Sequence, residues 1–384
     1  MVAGIWIAAV ANSLCAQAPD SAAPARVRIT APLAFGIRVG DRPRVAGFRL
    51  NYRDDAIQAV YGVNVTIWDP RRDSAGGNVY GLALGLPVTQ AARIEGVAIA
   101  GLGFDATDRV RGVVIAPLAV AERAVQGIAL GGLFLGVEGH TTGIAAAPLL
   151  GARSGLTGAS VSGVLVSDSA VKGVTITGLM GAGDVRWIQL SALGVVSAQS
   201  VIGATITGGA IHGDDRVEGI SLAGFSVSGQ TGIRGLAASG ALVYGPTVQG
   251  VALSSLIVAP VSLDGIAVSA LALGTSSLRG VGAAGLLLLA DRARGVVVAP
   301  VVLAEDVKGL VIAPFTFGAS DRGQMHGVAI SGWNDIGMQR GMALGVLNHA
   351  TRLHGIQIGL WNVADNNPPA FRRLPLVNVH LRGE

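Results

Sequence analysis

The chain has 384 residues, 57 of them glycine; 51% are hydrophobic, 14% charged and 4% aromatic, and the net charge is +4. Valine, isoleucine and leucine in such quantity exclude a disordered linker. The positive charge rests on arginines spread along the chain, about one per repeat, rather than clustered with aromatics, which argues against a nucleic-acid surface, and a lone cysteine excludes a disulfide framework.

Residues 1–18, MVAGIWIAAVANSLCAQA, read as a signal peptide. An apolar run leads to Ala16-Gln17-Ala18, a small-x-small cleavage site, although the usual basic start is missing. Leu14 stands where a lipid-modified cysteine has a small residue before it, which favours plain cleavage after Ala18 over lipid attachment at Cys15. No later segment reaches eighteen apolar residues free of glycine or charge, so no membrane-spanning helix is expected. Residues 19–46 are expected to form an N-terminal cap.

From residue 47 to 365 one phrase repeats. Its glycine stands at Gly47, Gly62, Gly81, Gly96, Gly112, Gly127, Gly143, Gly158 and Gly173. Trp187 takes the slot once, and the series continues at Gly203, Gly219, Gly235, Gly250, Gly265, Gly280, Gly295, Gly309, Gly327, Gly341 and Gly355. Eighteen of the twenty intervals are 14, 15 or 16 residues. The two longer ones mark insertions at 69–78 and 318–325, polar and turn-rich, which read as loops and as candidate recognition sites.

Large apolar residues fall at +1, +3, +6 and +8 from the glycine, as in Val97, Ile99, Leu102 and Phe104, or Ile128, Leu130, Leu133 and Leu135, or Ile266, Val268, Leu271 and Leu273. Another precedes most glycines by two, as at Val110, Val125, Val171, Val217, Val248, Leu263 and Val307. Taking these as the inward set, the change from odd to even offsets demands a bend at +4 and +5, because a straight strand would carry the set to the other face. Small residues or Ala-Pro stand there, at Ala116-Pro117, Ala147-Pro148, Ala299-Pro300 and Ala313-Pro314.

The expected architecture is therefore all-β: a parallel β-solenoid of about twenty coils of roughly 15 residues with three narrow sides. A single coil buries too little to fold alone, so neighbouring coils must stabilise one another. Residues 366–384, with Pro368, Pro369, Pro375, Arg372, Arg373 and Arg382, read as a C-terminal cap over the exposed edge. The alternative is an outer-membrane β-barrel with one strand and turn per repeat. Recurrent mid-strand Pro and Gly, the parity change and the scarcity of aromatics for two girdles weigh against it.

Chemistry is sparse. Asp214 and Asp215 beside His212 are the only interior acidic cluster, and they lie where most coils carry polar corner residues. His326, His349, His354 and His380, with Asp335 and Asp365 near them in sequence, fit no zinc spacing. No Walker loop, nucleophile elbow or H-E-x-x-H occurs. The chain is read as non-enzymatic, with no catalytic, cofactor or metal residue assigned. Thr175/Thr177 and Thr205/Thr207, with Gln189 and Ser191 between, are placed on the outside, where an irregular array argues against ice binding. Ala98, Ala100, Val114, Ala116, Ala129, Ala252, Ala267, Val297 and Val311 are likewise placed outward, as a flat apolar stripe for self-association or for a membrane or surface partner.

The ending carries a resemblance. Gly341 to Asn348, then Gly355-Ile356-Gln357-Ile358-Gly359-Leu360-Trp361-Asn362-Val363-Ala364, then Leu374-Pro375-Leu376-Val377-Asn378-Val379-His380 resemble the close of an exported bacterial family of surface repeat-containing proteins. Upstream, that family's Gln and Asn slots are mostly Ala, Thr, Ser or Val. The resemblance implies export and repetition and brings no biochemical activity. The expected function is a structural or adhesive scaffold at the bacterial surface or outer membrane; the alternative is a barrel, or a polysaccharide-binding or polysaccharide-processing β-helix.

Overall fold

The computed structural model describes residues 32–54, 57–68, 77–320 and 323–381. Residues 1–18 with Cys15, most of the 69–78 insertion, residues 321–322 of the second insertion, and Arg382 lie outside them. The chain divides into two compact bodies, residues 1–170 and 171–384. Each is a parallel β-solenoid. In the first, Val45–Asn51 pairs in parallel with Val60–Thr66, and Gly81 stands opposite Gly96. In the second, Val248–Ser254 pairs with Leu263–Ser269, and that stretch in turn with Leu278–Ala284. Each strand thus bonds to its own repeat one coil later. An up-and-down barrel would pair neighbours antiparallel, so the barrel alternative is set aside.

The glycine is a corner. Every anchor has a positive φ, from +89° at Trp187 to +157° at Gly355. A Cβ on Gly265 would lie 2.0 Å from the carbonyl oxygen of Gly250, so the coils stack glycine on glycine with no room for a side chain. Trp187 escapes because its side chain turns into solvent, 65% exposed, while Gly203 stacks on its carbonyl. The stack begins one coil earlier than the sequence suggests: Ala34–Val39 pairs in parallel with the next strand, and Gly36 faces Gly47.

Three straight runs follow from this corner: an approach side before the glycine, an exit side from +1 to +4, and a return side after a second corner at +5 and +6. The inward set differs from expectation. In the coil of Gly127, Ala129 is 0% and Leu135 1% exposed, whereas Ile128 and Leu130 are 37% and Leu133 63% exposed. The residues at −2 and +8 are inside as expected, but those at +1, +3 and +6 point out, and the small residues at +2 and +4 point in. All nine of the Ala and Val residues assigned to an outward stripe, Ala98 through Val311, are buried. Thr175, Thr177, Thr205, Thr207, Gln189 and Ser191 are buried too. The reason is width. Exit-side residues sit between two close corners and meet the opposing wall at short range. The large filling comes from the longer reaches at −2 (Ile94, Leu156, Ile233, Leu263, Leu278) and +8 (Leu135, Ile211, Leu273, Phe317).

Coil length sets parity at the corners. Sixteen residues from Gly203 to Gly219 keep even positions inside throughout: Thr205, Thr207, Ile211, Gly213 and then Val217. The fifteen-residue coil of Gly265 drops one residue at the last corner, between Thr275 and Leu278. The fourteen-residue coil of Gly295 drops another at the second corner, between Ala299 and Val302. The parity change expected at +4 and +5 in every unit is found there in the coil of Gly295; the coil of Gly265 changes only at its last corner and that of Gly203 not at all.

Both described ends carry polar packing. Near the first, buried Arg49 donates to Asn64 Oδ1 at 2.9 Å, to Asp41 at 2.6 Å and to Asp54. At the last, a 3-10 turn at Pro369–Phe371 leads to Arg373–His380, which lies antiparallel on the final coil with Gly355 opposite His380. The last coils also hold an amide ladder: Asn334 donates to Asn348 at 2.7 Å and Asn348 to Asn362 at 2.7 Å, and Gln357 donates to Gln339 at 3.1 Å. Of these, Asn348, Gln357 and Asn362 lie within the closing motif quoted from the sequence, and Asn334 and Gln339 lie before it.

Candidate interaction surface

The exit side is built from sheet geometry. Alternation along a strand sends +2 and +4 inward, so +1 and +3 must face out. In this chain those positions hold Ile, Val and Leu coil after coil: Ile128 and Leu130 in the first body, Ile188 and Leu190 or Ile266 and Val268 in the second, all exposed. Stacked at the strand spacing of about 4.8 Å, they form two adjacent apolar rows. The second corner adds a ridge, with Leu102 and Leu133 in the first body and Leu271, Phe315, Trp333 and Trp361 in the second, all exposed. The outward Ala/Val stripe expected from the sequence is absent; the apolar outer surface is made instead of the large residues that were expected inside.

The approach side is polar, and its charges pair between coils. Asp108 accepts from Arg93 at 2.9 Å and Arg123 at 3.1 Å, and the two guanidiniums hold its carboxyl below the usual range. Arg111 donates to Gln126 at 3.0 Å. In the second body Glu218 pairs with Arg216 at 3.1 Å and Arg234 at 3.5 Å.

The sequence candidates for chemistry separate. His212 contacts Asp214 at 3.0 Å through Nε2 and Ser228 Oγ at 2.8 Å through Nδ1, while Asp215 turns to Thr231 at 2.8 Å and Ser200 at 3.2 Å. The two carboxylates do not share a site. The Ser228–His212–Asp214 contacts resemble a nucleophilic triad only in composition. Ser226–Gly229 lies between two paired strands, so its amides serve the ladders and none is left for an oxyanion.

Of the C-terminal histidines, His349 alone is clamped between two acids, with Nδ1 at 2.7 Å from Asp335 and Nε2 at 3.2 Å from Asp365. Burial works against its charge, but hydrogen bonds and attraction from both carboxylates outweigh it and raise its pKa. Both ring nitrogens face acceptors, an arrangement that suits imidazolium. His326 is instead lowered, by burial and then by Arg340 and Lys308. His354 and His380 meet edge to face at 5.8 Å. Among the described residues no three His, Cys, Asp or Glu side chains gather as a metal site. An open groove of about 310 Å³ is lined by Pro260, Thr275, Ser276, Leu289 and Asp291.

No helix among the described residues is long and apolar enough to cross a membrane. No family model, curated protein or solved structure matches this chain.

Proposed function

We propose that the protein is a non-catalytic exported scaffold, acting at the bacterial surface or outer membrane by docking its apolar exit side and corner ridge onto a partner surface. One observation carries the reading: large aliphatic side chains stand exposed at +1 and +3 in both bodies, row upon row, where a soluble monomer seldom leaves such a patch uncovered. Export is supported by the apolar start and cleavage site of residues 1–18 and by the resemblance of residues 341–380 to surface repeat proteins.

The test is self-association and surface binding of the full-length chain without detergent, compared with Ile266→Asp combined with Val268→Asp. The expected result is association by the parent chain and a shift towards monomer in the variant, with unchanged circular dichroism. A parent chain that stays monomeric and binds no lipid or surface would contradict the reading. So would turnover of a polysaccharide by the purified protein.

A further inference from the structure

The second body carries a feature that the apolar rows do not explain. The residue just before the glycine, at the border with the exit side, is basic at Lys172, Arg186, Arg234, Arg279, Arg294, Lys308 and Arg340, against Glu218 and Asp264 and the uncharged Ile202 and Gln249. From residue 279 onward the cations stack directly, Arg279 opposite Arg294 and Arg294 opposite Lys308, with His326 next in the column. Like charges opposite one another destabilise a sheet. Arg186 and Arg234 have carboxylate partners, but among the described residues no ion pair joins Arg279, Arg294 or Lys308 to an acid. Asp264 stands opposite Arg279 without an ion pair, and the other acids of this stretch, Asp291, Glu305 and Asp306, stand two or three residues before the cation of their own coil.

We propose that this face of the second body docks on an anionic lipid surface, the basic column meeting headgroups while the exit side and corner ridge enter one leaflet. This rests on the scaffold reading above and names its partner. Three arguments favour lipid. The uncompensated cations ask for an anionic partner, and they border apolar rows rather than a polar cleft, the pairing of charge and apolar area that anionic membranes bind. The exit side spans four residues at ~3.3 Å each, roughly 13 Å, a little under half of the ~30 Å hydrocarbon core. Finally, the in-register ladders satisfy the peptide groups of these strands internally, so the face offers lipid no orphaned backbone along its length.

The experiment is co-sedimentation of the full-length chain with phosphatidylglycerol-containing vesicles and with pure phosphatidylcholine vesicles. Arg279→Gln, Arg294→Gln and Lys308→Gln are combined in one variant. These side chains are exposed, so folding should hold, and a thermal midpoint at or above the parent's verifies it. The expected result is preference for anionic vesicles, lost in 0.5 M salt and weakened about tenfold or more in the triple variant. Equal binding by the parent and the triple variant would overturn the proposal, as would binding to a soluble polyanion as tight as to vesicles. Self-association through Ile266 and Val268 without vesicle binding would overturn the lipid partner and leave the scaffold reading standing; neither behaviour would remove both.

Discussion

At the scale of the residue, the glycine corner is the most constrained point of each coil. Gly265→Ala would place a methyl 2.0 Å from the Gly250 carbonyl at a φ of +139°. It should cost more than about 2 kcal/mol in strain alone, read as a lower thermal midpoint. Gly274→Ala, whose new methyl meets nothing within 4 Å, should change little; equal losses in both variants would contradict the stacking account. This corner was legible in the sequence, because only glycine recurs where a side chain cannot fit. The orientation of its neighbours was not. Ile128 reads as core and Ala129 as surface on hydrophobicity alone, yet Ala129 is the buried one. Hydrophobicity records the gain from burial, and in so narrow a coil available volume overrides it. Thr175 and Thr205 were misplaced on the same logic.

At the scale of the element, adjacent coils are tied by ladders whose partners mostly lie 14 to 16 residues apart, and His349 adds a titratable tie. It joins Asp335 and Asp365, and its pKa is raised in the folded chain above the ordinary 6.5. A raised folded pKa means that stabilisation is complete below the unfolded value and is lost as pH rises through the folded one. The thermal midpoint of the C-terminal coils should therefore fall as pH is taken upward from 6.5, and His349→Gln should flatten that dependence. An unchanged slope in the variant would assign the pH effect elsewhere. The sequence placed His349 near Asp335 and Asp365 but could not seat it between them. That depends on the return side of each coil coming into step, which the coil lengths fix only after the corners are known. The basic column bordering the exit side was visible as a position in the repeat, yet it acquires meaning only when the residues beyond the glycine are known to point out. The antiparallel strand Arg373–His380 was anticipated as a cap; its direction was not, since proline and charge mark an ending without fixing a pairing.

At the scale of the whole molecule, repetition, parallel coiling and three short sides were readable because one rhythm governs the chain from Gly47 to Gly355. The interior of each body is filled by −2 and +8 residues, and the outer face after the glycine is apolar. The central claim is that successive repeats in the second body stack in parallel. It is tested most directly by electron–electron spin distances in a Cys15→Ser background, pairing Arg234→Cys with Arg294→Cys, Lys308→Cys or Arg340→Cys. The neighbouring anchors set these sites four, five and seven coils apart. At the strand spacing of about 4.8 Å the backbone separations should be about 19, 24 and 34 Å, rising evenly with coil count. A value for Lys308 displaced by the length of a strand, as antiparallel neighbours would give, would contradict the account.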